Sequence, residues 1–456
     1  MAKTKNNFTK KILTTLFLGL ISGIAFIALR EFLINTGNAS IWRQINNILF
    51  ADITQAGNEN VIGLLFVVGQ IFIRILQMLL IPLIFTSIVR AIEKIQDTGL
   101  LNNLAKKSFL NFGMLLSIAL TLATIIGYSV YSLGWFQLSN LESIEIVESA
   151  ANRSNPLLII LNAFNPNILG ALGNNGNIIA VVVLALGIGV FMQRLRGKIE
   201  ILSKAVDEVY LLTMKILDLV IIKFSPFAIY CLLVRTFAAY GVQYLRPAVI
   251  YMVVTTLTLL ILLYIIFPTI VYVKTGLNPL TYIKKISKVA AFGFSTSSSA
   301  ATLPLSQDTI IKDLGVDESI ASFIVPLAST INMTGTAIMQ VIATLFIASV
   351  GGYHVGIVEM VSILALTLVG SVSTPAAPGA GAILLFTIIS GMNFSNPAAL
   401  AAYSFILAIN RPVEMLVTAV NVVDDSVTSL CVAHDLKQVD ESAYNYININ
   451  KSVGVN

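Results

Sequence analysis

Eight apolar runs, near residues 11–33, 61–93, 108–135, 176–193, 207–238, 246–273, 317–350 and 395–434, are each long enough to cross a bilayer as a helix. A crossing of about 30 Å takes roughly 20 residues. Backbone polar groups in hydrocarbon must be satisfied internally, so these runs make the fold class an all-α polytopic membrane protein of eight transmembrane helices. A chain of 456 residues that is 56% hydrophobic and only 11% charged does not belong to the soluble multidomain classes. Its net charge of +5 calls for no nucleic acid, because Lys and Arg gather in short loops and form no basic groove. Cys231 and Cys431 lie inside apolar segments and read as small core residues, with no disulfide framework.

The loop charges orient the chain. Lys3, Lys5, Lys10 and Lys11 precede the first run, which resembles a secretion signal, but no convincing small-x-small cleavage site follows and it reads as an uncleaved span. Arg90, Lys94, Lys106 and Lys107 put the loop after the second span in the cytoplasm, while Glu142, Glu145 and Glu148 put the next one outside. Arg194, Arg196 and Lys198 return the chain to the cytoplasm, as do Lys274, Lys284, Lys285 and Lys288 after the sixth span. Both termini are then expected inside a cytoplasmic (plasma) membrane. Residues 435–456 read as a polar cytoplasmic tail that stays in solution.

Two further apolar segments cannot be ordinary spans. Residues 358–392 are interrupted by SVSTPAAPGAG, from Ser371 to Gly381, in which Pro375 and Pro378 remove backbone donors and Gly379 and Gly381 loosen the rest. Residues 289–311 are interrupted by FSTSSSAATLP, from Phe294 to Pro304. Broken backbone is tolerated in a bilayer only where protein or a water-filled cavity surrounds it. Each segment reads as a re-entrant hairpin that enters and leaves on one side, the first from the cytoplasm and the second from outside. Opposed hairpins are what inverted repeats produce, with the interrupted segments directed at a midplane binding site.

Three sets of polar residues fit such a site. Ser and Thr hydroxyls of the first tip can bond amides that a broken helix leaves free, and helix N-termini there favour an anion such as a carboxylate. The close apolar flanks argue against a soluble serine linker. A serine nucleophile lacks a partner, since the only histidines, His354 and His434, read as loop or span-end residues without a metal role. In the seventh span, Thr330, Asn332, Thr334 and Thr336 alternate, and Gly335 weakens the helix. Local unwinding there would offer oxygens to a hard cation such as sodium; polar glue between helices is the alternative. In the last span Glu414, Thr418, Asn421 and Asp425 follow i, i+4, i+7, i+11 and form one stripe. A mid-membrane carboxylate costs about 2.5–3.5 kcal/mol and usually serves an ion or substrate pathway. A span end lying in water is the alternative for Asp424 and Asp425.

STSSSAATLP, NMTGT, TPAAPGAG and the Glu-x3-Thr-x2-Asn-x3-Asp stripe occur in this order, with QMLLIPLIFTSIV in the second span and KFSPFAIYCLL in the fifth. Together they resemble the dicarboxylate/amino acid:cation symporter family, the glutamate-transporter-like sodium symporters, over nearly the whole chain. The resemblance implies a homotrimer with an elevator motion, a scaffold part about 11–107 and 136–245, and a transport part about 108–135 and 246–434. It also implies a substrate set of Ser298, Ser299, Thr336, Ala377, Gly381, Glu414, Val417, Thr418 and Asn421. In that set Ser299, Thr418 and Asn421 hold the α-carboxylate and Glu414 meets the amino group. Asp425 with carbonyls of Ala328, Asn332 and Asn421 forms one sodium site, and Thr330 with the backbone of Ser371, Val372 and Thr374 forms a second.

The departures from the family pattern decide the expected substrate. Relatives that carry acidic amino acids have an Arg where this chain has Val417, and the Arg of archaeal relatives in the first hairpin is Ser297 here. A second buried carboxylate would be unpaired, which selects for a neutral amino acid. Arg411, six residues before Val417, could restore acidic binding only by turning its side chain inward. Thr334 stands where relatives have the Asp of a third sodium site, and Asn111, Met114 and Leu115 replace that site's hydroxyl partners. At most two sodium ions are then expected, or a proton carried on Glu414 or Asp425. Gln340 replaces the Glu of proton- and potassium-coupled carriers. The expected activity is sodium-coupled import without covalent chemistry. The alternatives are an acidic amino acid or C4-dicarboxylate symporter and, in another class, an ion channel or nutrient receptor on the same fold.

Overall fold

The structure, a computed structural model, describes residues 2–54, 57–93, 99–137, 161, 164–174, 177–240, 245–374, 376 and 379–445. Among them every regular element is helical, and the one β-type contact is an isolated bridge between Val316 and Val439. The chain runs through α1 (Ala2–Asn35), the amphipathic α2 (Ala39–Leu49), α3 (Leu64–Glu93), α4 (Gly99–Ser132), the short α5 (Ile168–Leu172) and α6 (Ile178–Arg194). Helix α7 (Glu200–Leu219) continues into α8 (Ser225–Tyr240), and α9 (Leu245–Ile261) into α10 (Phe267–Thr275), each through a π-helical turn. Pro226 and Pro268 explain those turns, because each removes an amide donor and displaces the i→i−4 ladder just before it.

Among the described residues seven helical stretches are long and apolar enough to cross a membrane. The fourth apolar run is the exception: α6 has 17 residues, a rod of about 25 Å at 1.5 Å per residue. The seventh run is α13 (Glu318–Ile331) and α14 (Thr334–Val350), broken at Asn332 and Met333 as the alternating polar residues suggest. The last run, expected as one span over 395–434, is two helices, α17 (Pro397–Ile409) and α18 (Arg411–Asp435). Pro412 in the first turn of α18 cannot donate to the helix before it, and the Tyr251 hydroxyl donates to Asn410 Oδ1 at 2.6 Å, fixing the corner.

Both interrupted segments are helical hairpins. The second joins α15 (Ile357–Val372) to α16 (Ala380–Gly391). The first joins α11 (Pro279–Thr296) to α12 (Ser299–Lys312), so it starts ten residues earlier than the expected 289. Asn278 caps α11 by accepting from the Leu280 and Thr281 amides, and Pro279 opens its first turn. Lys284, Lys285 and Lys288 lie on this helix, where sequence alone had read them as loop charges.

The segment after α18 is not a free tail. Residues 436–445, which include α19 (Glu441–Asn445), lie across the open end of the first hairpin. The Asp440 amide donates to the Gly315 carbonyl at 2.7 Å and the Asp317 amide to the Gln438 carbonyl at 3.2 Å. Lys285 Nζ donates to the Asp313 and Ala443 carbonyls at 2.7 and 2.8 Å. Tyr444 is fully buried and its hydroxyl donates to the Asn278 carbonyl at 2.9 Å. The remaining residues of the expected tail, 446–456, lie outside the described residues.

Packing falls into two groups. Helices α1, α3, α6, α7 and α8 pack mainly on one another, while α4, α9, α10, both hairpins, α13, α14, α17 and α18 pack around α14 and α18. Contact between the groups runs through α17 on α8, through α13 and α16 on α3, and through α15 on α6. A small gap between α16, α3 and α7 has an apolar lining that includes Leu79, Leu83, Leu217 and Ile383.

Candidate functional site

Two hairpin tips, one helix break and one polar stripe meet at a single point. At the first tip Ser297 takes φ +48, which ends α11, and Ser298 caps α12 by accepting from the Ala301 amide at 3.3 Å. The Ser298 hydroxyl donates to the Ala376 carbonyl of the second tip at 3.2 Å, tying hairpin to hairpin. Gly379, at φ +81, turns the second tip into α16, a conformation that favours glycine. Beneath the tips lies a cavity of about 30 Å³. A water needs about 10–15 Å³ on this measure, so the space has room for only about two waters.

Ser299, Thr336, Gly381, Glu414, Val417, Thr418 and Asn421 line the cavity, all of them expected from the sequence as substrate ligands. Ser298 lies at its edge in the tip-to-tip bond, and Ala377 lies outside the described residues, as do Pro375 and Pro378. The sequence reading missed Ser297, Met333, Met339, Ala376 and Gly379 as lining residues. Met339 could have been found from its i+3 spacing to Thr336 on α14. Thr374, expected at an ion site, lines the cavity as well.

Asn421 organises the floor. Its Oδ1 accepts from the Gly335 amide at 2.8 Å, which satisfies a free donor in the first turn of α14, and its Nδ2 donates to Thr336 Oγ1 at 3.1 Å. A Cβ on Gly335 would stand 2.8 Å from the Val417 carbonyl and 3.0 Å from Asn421 Oδ1, so this approach of α14 to α18 requires glycine. Gln340 Nε2 donates to the Gly381 carbonyl at 3.1 Å and joins α14 to the second hairpin. The Tyr282 hydroxyl lies 2.6 Å from Ser426 Oγ and anchors the first hairpin to α18.

Among the described residues Glu414 is the one charged side chain lining the cavity. Its Oε2 lies 3.7 Å from Arg411 Nη1, with both side chains about nine-tenths buried. Arg411 therefore turns inward, but toward Glu414 and away from the cavity wall that Val417 forms.

Of the residues expected to hold ions, Asn421 and Thr374 line the cavity and the others do not. Asp425 is 2% exposed, and its Oδ1 has no hydrogen-bond partner. Asn332 and Ala328 sit at the end of α13, where the Ala328 carbonyl accepts from the Asn332 amide at 2.8 Å. Ser371 and Val372 end α15, and Thr374 follows, at the negative end of that helix's dipole. The hydroxyls of Ser371 and Thr374 donate backward to the Leu368 and Gly370 carbonyls. Thr330 lies in the last turn of α13, which touches α15. Of the expected third-span positions, Asn111 accepts from Lys274 Nζ at 3.0 Å. A contact absent from the sequence reading is that of Asp424, whose Oδ2 accepts from Thr334 Oγ1 at 2.5 Å.

The sequence model of the sodium:dicarboxylate symporter family matches residues 8–435. The chain is 24% identical over 387 residues to the proton/sodium-glutamate symport protein of Bacillus caldotenax, covering 83% of this chain and 89% of that protein. It is 25% identical over 465 aligned positions to the L-cystine uptake protein TcyP of Bacillus anthracis, covering 98% and 93%. An excitatory amino acid transporter of Caenorhabditis elegans is 26% identical over 260 residues, 57% of this chain and 51% of that protein.

Proposed function

The chain belongs to the sodium:dicarboxylate symporter family, and we propose that it is a secondary active symporter importing a neutral, dipolar amino acid with sodium. The observation that carries this reading is the charge of the cavity lining: one carboxylate, Glu414, and no cation. A substrate ammonium fits Glu414. An α-carboxylate fits the N-terminus of α12 at Ser299, with Thr418 opposite. A second carboxylate would lie against Val417 without a partner, and leaving a buried charge unpaired costs several kcal/mol. The relatives named as L-cystine uptake proteins match this chain over nearly its full length; cystine has no net charge, and its second carboxylate brings its own ammonium as a counter-charge, which the second carboxylate of an acidic amino acid lacks.

The second reading is a sodium- or proton-coupled symporter of an acidic amino acid or C4-dicarboxylate, in keeping with the relatives named for glutamate. The buried Arg411 favours it, but Arg411 would first have to leave Glu414.

Opening the Ser298 to Ala376 bond between the tips would admit substrate, and its return would close the site. The two packing groups support a scaffold about 11–107 and 136–245 and a transport part about 108–135 and 246–434; the homotrimer and the cytoplasmic membrane are part of the proposal through the family alone. The apolar lining between α16 and α3 is compatible with sliding, because side chains of this kind make no directional bonds there.

The test is uptake by purified protein in liposomes, with inward sodium or proton gradients and labelled cystine, small neutral amino acids, aspartate, glutamate and succinate. Sodium-driven accumulation of neutral solutes alone is expected. Accumulation of an acidic solute would overturn the charge argument, and failure to accumulate any solute against its gradient would point to a channel or receptor.

A further inference from the structure

One oxygen of the Glu414 carboxylate is taken and the other is open. Oε2 lies 3.7 Å from Arg411 Nη1, whereas Oε1 is buried with no hydrogen-bond partner. The second tip lies over this carboxylate: a Cβ on Gly379 would stand 3.9 Å from Oε2. Arg411 is buried as well, yet it does not line the cavity that Glu414 lines. It opens α18 and reaches Glu414 along one face of that helix, three residues on. Its place is set from outside the helix. The Tyr251 hydroxyl donates to the neighbouring Asn410 Oδ1 at 2.6 Å, and the Tyr251 ring packs on Phe346 of α14 with centroids 5.5 Å apart.

The pair decides which net charge the site accepts. Burying a charge is costly unless an opposite charge balances it. Glu414 alone would present one unbalanced negative charge and would draw a solute with a surplus ammonium. Glu414 with Arg411 behind it presents no net charge, so the solute that leaves no buried imbalance is one whose own charges cancel. The open Oε1 still accepts from an ammonium, because an ionised carboxylate has two acceptor oxygens. Coupling ions bound elsewhere add the same charge whatever the solute, so they do not alter this ranking.

We propose that Arg411 is a positioning residue that sets specificity through Glu414: it holds Oε2, leaves Oε1 to the substrate ammonium, and cancels the carboxylate's charge so that the closed site takes solutes of no net charge. The inference rests on the neutral-substrate reading given above and names the residue that enforces it.

The experiment measures equilibrium binding to the full-length protein, in sodium and without a gradient, of cystine, homoserine, 2,4-diaminobutyrate and aspartate. The last three share a carbon chain of one length and end in a hydroxyl, an ammonium and a carboxylate. The readout is the affinity for the neutral solutes relative to 2,4-diaminobutyrate. The wild type is expected to bind a neutral solute most tightly. Arg411→Met removes the charge and keeps a long stem, and should shift the ratio at least about tenfold toward 2,4-diaminobutyrate. Arg411→Lys keeps the charge and should keep the wild-type order. Should Arg411→Met fail to fold, Arg411→Gln carries the test. A merely structural Arg411 would weaken every solute together, so an unmoved ratio in the uncharged variant would overturn the inference and leave the neutral-substrate reading standing. Arg411→Lys shifting the ratio as far as the uncharged variant would also overturn it. A wild type that binds aspartate most tightly, or none of the four, would overturn both.

Discussion

Replacing Tyr444 tests whether residues 436–445 clasp the root of the first hairpin. The side chain is 0% exposed, its hydroxyl donates to the Asn278 carbonyl, and the Lys285 ammonium lies 5.5 Å from its ring. Truncating a buried aromatic residue to Ala costs about 3–5 kcal/mol, and the lost hydrogen bond adds about 1 kcal/mol. The segment can release as a unit, so the cost falls on its docking and not on the whole fold. At about 1.4 kcal/mol per tenfold change, Tyr444→Ala should open the clasp at least roughly 100-fold more often. Tyr444→Phe keeps the ring and should give only about a two- to tenfold effect. Amide hydrogen exchange reads this directly, because the Asp440 to Gly315 and Asp317 to Gln438 bonds both cross the clasp. Unchanged exchange at both amides in Tyr444→Ala would refute the reasoning. Equal effects of Ala and Phe would show that the hydrogen bond holds the segment and the buried ring does not.

Acid should weaken the same clasp: hydrogen bonds from the Ser442 side chain and the Ala443 amide hold the Asp440 carboxyl below its ordinary range, and Ser319 does the same for Asp317. Stabilisation from a depressed carboxyl is present above its unfolded value and lost as pH falls below it, so the two amides should exchange faster once pH drops under about 4, after correction for intrinsic rates. Glu414→Gln removes the carboxylate that faces the buried Arg411 and should cost about 3–5 kcal/mol, with neutral-substrate affinity lost; thermal stability should recover in Glu414→Gln/Arg411→Met while affinity does not. Gly335→Ala forces a Cβ onto the Val417 carbonyl and Asn421 and should cost about 1–3 kcal/mol with weaker binding, read by equilibrium binding and melting. Leu217→Trp overfills the apolar face beside α16 and should slow uptake while equilibrium substrate binding remains near wild type.

How much of this was legible in the sequence depends on which force set each feature. The long spans were legible because hydrocarbon demands unbroken apolar helices, and the two tips were legible because Pro, Gly and Ser clusters cannot continue them. The root of the first hairpin was not, because α11 carries Lys284, Lys285 and Lys288 and a basic amphipathic helix reads like a loop. The corner at Asn410 was hidden inside one apolar run, since Pro412 is also compatible with a kinked span. Docking of Tyr444 was invisible because a polar composition says nothing of one aromatic residue that finds a slot. Asp424 was named in the sequence, but its contact with Thr334 was not legible there: position 334 was judged on its own residue, and the carboxylate next to it belongs to a different helix.

The placement of the charges gives a reason for substrate and ion to depend on one another. Glu414 is balanced by Arg411, whereas Asp424 and Asp425 have no ion-pair partner among the described residues. Both unbalanced carboxylates lie on α18 about a turn beyond Asn421, and Asp424 faces Asn332 and Thr334 across the break in the seventh run. That same break sets the first turn of α14, whose Gly335 amide and Thr336 hydroxyl are held by Asn421. A cation settling on the carboxylates would fix Asn332 and Met333, and with them the positions of Thr336 and Asn421 on the cavity wall. Substrate would then meet ordered ligands only after the ion has arrived. The dependence should be reciprocal, because binding free energies at two linked sites change each other by the same factor. Measured without a gradient, saturating substrate should therefore raise sodium affinity by the same factor that saturating sodium raises substrate affinity. Independent affinities would mean that the break does not link the two sites.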